Sequence, residues 1–157
     1  MKKEYNNKKL ISYTAVILWM ILIFYLSNQP ASDSNELSTG ITDVILIAVE
    51  KVAPSSDIML GNVNHLVRKN AHFFIYLVLG LLVLNSLSLS EINRCKEMGI
   101  ALLICVLYAI SDEAHQLFIP GRGAQIKDVF IDSLGAVLGV ILYSSVRSLR
   151  KVRNKPN

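Results

Sequence analysis

Four apolar runs alternate with polar segments along the chain, and their lengths predict the main elements of the fold. The runs cover residues 10–26, 71–89, 98–110 and 129–146. A helix of about 20 residues crosses a hydrocarbon core of about 30 Å, so each run is long enough once flanking residues complete its helix. The pattern therefore predicts four transmembrane helices, over about 10–27, 69–89, 97–118 and 128–146.

The alternative for any single run is a buried helix in a soluble bundle. Of the 157 residues 52% are apolar, and the mean hydropathy is +0.44. Four such runs in so short a chain leave too little polar surface for a soluble globule. The first run also differs from a cleaved signal peptide, because it is longer and no A-x-A-like site follows Ser27. We therefore predict an all-α polytopic membrane protein with one domain over residues 1–157.

The positions of lysine and arginine predict the orientation. If both termini are cytoplasmic, 11 of the 16 basic residues lie in short cytoplasmic segments, as the positive-inside rule requires. These are Lys2, Lys3, Lys8, Lys9, Arg94, Lys96, Arg147, Arg150, Lys151, Arg153 and Lys155. Such juxtamembrane charge fits contact with anionic lipid, and it gives no support for nucleic-acid binding.

The outer loop between the first two spans, residues 28–68, has a helical pattern of its own. Apolar residues recur at helical spacing over residues 37–53, which predicts an amphipathic helix at the outer face. Such a helix lies in the membrane interface or packs over the bundle, and a simple linker helix is the alternative. A further helix is predicted to begin after Pro54 and to continue into the second span.

Titratable residues cluster near the predicted outer ends of spans two, three and four. The candidates for catalysis are His72, Asp112, Glu113, His115, Asp128 and Asp132. The candidates for binding a lipid headgroup are Arg68, Lys69, Tyr76, Tyr108, Gln116 and Arg122. Gly135 and Gly139 continue the helix face of Asp128 and Asp132, a G-x-x-x-G stripe that lets a neighbouring helix approach closely.

Ionisable groups inside a membrane usually pair with one another and often mark function, so three interpretations of this cluster stay open. Ion pairs of Arg68 or Arg122 with Asp112, and of Lys127 with Asp132, would only brace the bundle. Acid–base chemistry would use a histidine to move a proton while Lys69 and Arg122 hold a phosphate. A metal site built from His72, His115 and Asp112 is the least favoured, because its ligands come from distant segments. No metal and no cofactor are therefore expected.

Three segments of the chain resemble the VanZ-like family of bacterial membrane proteins. They are RKNAHFFIYLVLG (68–80), YAISDEAHQLFIPGR (108–122) and KDVFIDSLGAVLGV (127–140). The resemblance implies a multi-pass protein of a Gram-positive-type cell membrane, associated with low-level resistance to teicoplanin. It implies membrane lipids as partners, together with a lipid-linked cell-wall intermediate or a lipoglycopeptide, and it supplies no established catalytic residue.

Two classes of function are compatible with these residues. The first is a non-enzymatic envelope module that binds such a ligand at the outer leaflet, and the family association favours it. The second is a membrane-embedded enzyme that modifies a lipid or a lipid-linked headgroup. Whether the chain is an enzyme is left open, because Ser111 and Ser133 lack a G-x-S-x-G nucleophile elbow. A small channel or transporter is a third and less favoured class.

Overall fold

The computed structural model describes residues 2–30, 60–90 and 92–153, and within these ranges it leaves the side chains of 2–3, 60–69 and 152 undescribed. The described residues form four helices, which we label α1 (Lys2–Ser27), α2 (Leu60–Leu87), α3 (Arg94–Gln116) and α4 (Ile126–Arg153). The all-α prediction is confirmed for this part of the chain. The amphipathic helix predicted over residues 37–53 lies outside it.

Three of the four described helices are long and apolar enough to cross a membrane: Glu4–Ser27, Asn70–Leu87 and Ile126–Lys151. The remaining helix, α3, has 23 residues and is about 34 Å long. Ionisable residues near both of its ends shorten its apolar centre to Met98–Ile110. Helix α2 begins at Leu60, in agreement with the prediction that a helix starts well before the second span.

Among the four described helices, α2 and α4 make the most extensive contact, and glycines make it possible. A Cβ atom added at Gly135 would collide with the carbonyl oxygen of Phe73, and one at Gly139 with that of Leu77. From the other side, a Cβ at Gly80 would collide with the carbonyl oxygen of Ala136. The two backbones therefore touch directly, as the G-x-x-x-G stripe predicts.

Helix α1 lies against α2 and α3, and the hydrogen bonds that hold it there include two from side chains to backbone near its middle. Trp19 Nε1 donates to the Ile75 carbonyl oxygen at 3.0 Å, and the Tyr108 hydroxyl donates to the Met20 carbonyl oxygen at 2.6 Å. The opposite face of α1 is apolar and exposed, with Leu18 61% accessible. An apolar face of this extent is typical of a surface that contacts lipid or another protein.

The two ends of the bundle differ in chemistry. At the end that we call the basic end, α2 passes to α3, and the buried Glu97 accepts from Arg147 Nη1 at 2.6 Å. At the opposite end, which we call the polar end, α1 finishes at Ser27, and residues 117–125 join α3 to α4. Gln116 Nε2 donates to Ser27 Oγ there at 3.0 Å, which ties α3 to α1.

Candidate functional site

At the polar end, three helices bring together one histidine and two aspartates. His72 on α2, Asp112 on α3 and Asp132 on α4 each place one ligand-type atom within 4.8 Å of the others. We call these three residues the polar triad. Asp132 is completely buried, Asp112 is 3% exposed, and His72 is half-buried. His72 Nδ1 lies 3.6 Å from Asp132 Oδ1.

The glycine contacts of α4 explain why Asp132 reaches α2. Residues three and seven positions apart lie on one face of a helix, so Asp132 shares the face of Gly135 and Gly139. Since this face packs directly on the α2 backbone beside Phe73, Asp132 is brought against His72, the neighbour of Phe73. The same small residues that let the helices approach therefore also assemble the triad.

Polar groups of the site are buried without hydrogen bonds. Within the described residues, neither carboxylate oxygen of Asp112 or of Asp132 has a hydrogen-bond partner. The same holds for the hydroxyl of Tyr76, which lies one turn after His72 and is completely buried. An unsatisfied buried polar group costs about 1–3 kcal/mol, and more when it is charged. The site thus has capacity to bind a ligand.

A pocket of about 90 Å³ opens beside the triad. Its lining consists of His72, Gln116, Gly121, Arg122, Gly123, Gln125, Asp128, Ile131 and Asp132. This volume holds a few water molecules or one compact polar group, since one water occupies about 30 Å³ in the liquid. Arg122 also lines the pocket, and a guanidinium group is suited to bind a phosphate or a carboxylate.

The loop over residues 117–125 forms one wall of this pocket. A hydrogen bond to Glu113 holds the end of this loop. Gln125 N donates to Glu113 Oε2 at 2.8 Å, so the carboxylate of Glu113 anchors the end of the loop. Gly121 has a φ of 74°, a left-handed conformation in which a side chain would be strained. Glu113, predicted as a catalytic candidate, thus holds the loop in place and is not one of the triad residues.

The position of His115 corrects one predicted combination. Its Nε2 lies 3.2 Å from Asn28 Oδ1, and its ring centroid is 4.7 Å from that of Phe24. On a helix with about 100° per residue, His115 and Gln116 point to opposite sides of Asp112, and His115 turns toward α1. The structure therefore does not assemble His72, His115 and Asp112, and Asp132 is the third member of the group instead.

The remaining predicted residues divide into three groups. Gln116, Arg122 and Asp128 line the pocket beside the triad. Tyr108 uses its hydroxyl to bind the Met20 carbonyl oxygen, and its ring centroid is 6.3 Å from that of Tyr76. Arg68 and Lys69 lie in α2, but their side chains are outside the described residues.

Sequence reasoning missed Ser27, which is 2% exposed and accepts the hydrogen bond from Gln116. The sequence offers only a weak indication that Ser27 is buried. A serine at the end of an apolar run is equally typical of an exposed helix terminus. Sequence reasoning also missed a groove of about 330 Å³ lined by Phe24, Tyr108, Ser111, Asp112, Ala114, His115 and Phe118. Asp112 thus borders this groove as well as belonging to the triad.

Long apolar helices around a buried polar group define the class of this chain, which is an α-helical membrane protein. The sequence model of the VanZ/LLP1 family matches residues 12–147, and the chain belongs to this family. That range includes the whole polar triad and the loop over residues 117–125. No curated protein and no solved structure matches the chain.

Proposed function

We propose that this protein is a four-span protein of the bacterial cell membrane that binds the phosphate-bearing headgroup of a lipid or of a lipid-linked cell-wall intermediate. Binding takes place at the outer leaflet, in the pocket at the polar end. The observation that carries the proposal is this pocket of about 90 Å³, which is lined by Arg122, Gln116 and Gln125.

The proposed topology uses α3 as the fourth span. Helix α3 packs against α1, α2 and α4, so it shares their depth in the membrane. With both termini in the cytoplasm, the basic end carries Arg94, Arg147 and Arg150, which fits the positive-inside rule. The polar end then faces outward, where the triad is close to the lipid headgroups.

The size and chemistry of the pocket favour a phosphate group. A guanidinium group binds phosphate through two parallel hydrogen bonds, and Gln116 and Gln125 line the same space. A second groove, lined by Ile17, Met20, Ile21, Phe24 and Tyr108, runs between α1 and α3. It shares Phe24 and Tyr108 with the groove at Asp112, so an acyl chain in it would lead toward the triad.

Isothermal titration of the purified chain in detergent tests this proposal. Short-chain phosphatidylglycerol should bind, whereas short-chain diacylglycerol, which lacks the phosphate, should bind at least tenfold more weakly. Arg122→Gln should reduce the affinity about tenfold or more, because a hydrogen bond to a charged group contributes about 1.5–3 kcal/mol. The control Arg150→Gln removes an exposed charge at the basic end and should leave the affinity unchanged. Equal affinity for the two lipids would contradict the proposal.

The second candidate function is an enzyme that modifies the headgroup, and the contact of His72 with Asp132 beside the pocket favours it. A carboxylate that orients a histidine is a common arrangement for proton transfer. Mass spectrometry of lipids and cell-wall precursors separates the two candidates. A new lipid species in expressing cells, absent from cells with Asp132→Asn, would establish chemistry, whereas unchanged species with retained lipid would establish binding alone.

A further inference from the structure

We propose that the polar triad binds one divalent transition-metal ion, zinc or manganese, through His72 Nδ1 and one carboxylate oxygen each of Asp112 and Asp132. The sequence predicted no metal here, and its least favoured combination contained His115. The proposal goes beyond headgroup binding, because all three ligands belong to the chain and no lipid is needed to complete the set.

The distances within the triad fit a shared ion better than a direct hydrogen bond. His72 Nδ1 and Asp132 Oδ1 are 3.6 Å apart, whereas an N–H···O hydrogen bond is about 2.7–3.2 Å long. Two tetrahedral ligands at about 2.1 Å from zinc are about 3.4 Å from each other. The ligand-type atoms of all three residues lie within 4.8 Å of one another, so an ion would require the aspartate side chains to rotate toward it. An imidazole nitrogen with two carboxylate oxygens is also a donor set that suits zinc and manganese.

Burial supplies the second, independent observation. Asp112 and Asp132 are 3% and 0% exposed, yet their carboxylate oxygens have no hydrogen-bond partner among the described residues. The completely buried Tyr76 hydroxyl, one turn from His72, is unsatisfied in the same way. At the basic end the chain neutralises the buried Glu97 directly, with Arg147 Nη1 at 2.6 Å. At the triad, His72 Nδ1 lies 3.6 Å from Asp132 Oδ1, which is a longer contact than the ion pair of Glu97.

A divalent ion would balance the charges of the three triad side chains. Two ionised aspartates carry two negative charges, and His72 supplies one positive charge only when it is protonated. A divalent ion neutralises both carboxylates and binds the neutral imidazole. His72 and Asp132 also line the pocket, so the ion would have an open side for a water molecule or a ligand oxygen. Three protein ligands with one open position are typical of catalytic zinc sites rather than of structural ones.

Metal analysis of the full chain in detergent tests the proposal. After treatment with a chelator, the protein is dialysed against equimolar Zn²⁺ or Mn²⁺, and the bound metal is measured by mass spectrometry. We expect about one ion per chain in the wild type, and at least tenfold weaker binding in His72→Gln, Asp112→Asn and Asp132→Asn. Glu113→Gln is the matched control, because it removes a buried carboxylate charge from the same helix but keeps an acceptor for Gln125 N. It should bind metal like the wild type.

Thermal unfolding gives a second test of metal binding that remains valid if a variant is less stable than the wild type. An ion that binds only the folded state raises the melting temperature, and this shift is measured within each protein. Added metal should raise the melting temperature of the wild type and of Glu113→Gln, and it should not change that of Asp132→Asn. A wild type that binds no metal, or an equal shift in all variants, would overturn the proposal. Neither assay requires a lipid ligand. A negative result here would therefore overturn metal binding alone, and the lipid titration would still test headgroup binding separately.

Discussion

Asp112 shows how one residue can serve several parts of the site. It is almost completely buried, belongs to the triad, and also borders the groove at His115. The adjacent Glu113 has a different role, because it anchors the loop over residues 117–125. Adjacent side chains on a helix point about 100° apart. Asp112 and Glu113 therefore contact different parts of the protein, although they are neighbours in the sequence and carry the same charge.

The two histidines of the polar end give a matched pair of substitutions. His72→Gln should weaken binding of short-chain phosphatidylglycerol about tenfold or more, because His72 lines the pocket and glutamine lacks the imidazole that contacts Asp132. His115→Gln should leave the affinity within about twofold, since His115 contacts Asn28 and Phe24 outside the pocket. Titration calorimetry on both variants measures this difference. A larger loss for His115→Gln would place the binding site in the groove between α1 and α3.

At the scale of elements, the contact of α2 with α4 determines both stability and site geometry. Gly135 and Gly139 lie on the same face as Asp132, and a Cβ at either glycine would meet backbone atoms of α2. A backbone carbonyl does not move aside as a flexible side chain does. Any larger residue must therefore push the two helices apart and shift Asp132 away from His72.

Gly139→Ala should destabilise the protein by about 1–3 kcal/mol, the usual cost of overpacking. It should also weaken metal binding by the triad, although it lies two turns away. Gly99→Ala is the control, because nothing lies within 4 Å of a Cβ at Gly99 in α3. That change should be neutral or slightly stabilising, since alanine favours a helix more than glycine does. Thermal unfolding of both variants measures the effect, and equal stability would mean that α2 and α4 are less tightly packed.

Much of this arrangement was predictable from residue spacing. The apolar runs predict the helices, the G-x-x-x-G stripe predicts the contact of α4, and the antiparallel order places His72, Asp112 and Asp132 at the same end. The direction of His115 was not predictable, because the choice of which side of α3 faces α1 depends on tertiary packing. For the same reason, the bond of Tyr108 to the Met20 carbonyl oxygen and the loop anchor at Glu113 appear only in three dimensions.

At the scale of the whole molecule, exposed apolar side chains and the two distinct ends of the bundle define how it sits in a membrane. The face of α1 that points away from the bundle includes Ile17, Leu18 and Ile21, all more than half exposed. This surface is stable only in lipid or against another apolar surface. In the proposed topology, the basic end and the polar end lie at opposite membrane surfaces.

Expression in a susceptible Gram-positive host should raise tolerance to teicoplanin more than tolerance to vancomycin. The family association motivates this expectation, and the lipid tail of teicoplanin brings that drug to the leaflet in which we place the pocket. Minimum inhibitory concentrations of both drugs measure the effect, with Arg122→Gln as the variant that should lose it. If tolerance to both drugs is unchanged while the protein is present in the membrane, this chain does not confer resistance.

The outward position of the polar end is the central claim, and thiol labelling of intact cells tests it most directly. Ala124→Cys places a thiol in the exposed loop that walls the pocket, while the native Cys95 is exposed at the basic end and Cys105 is buried. A membrane-impermeant maleimide should label Ala124→Cys in intact cells, and it should label Cys95 only after the cells are permeabilised. Labelling of Cys95 but not of Ala124→Cys in intact cells would place the pocket at the cytoplasmic face and contradict binding at the outer leaflet.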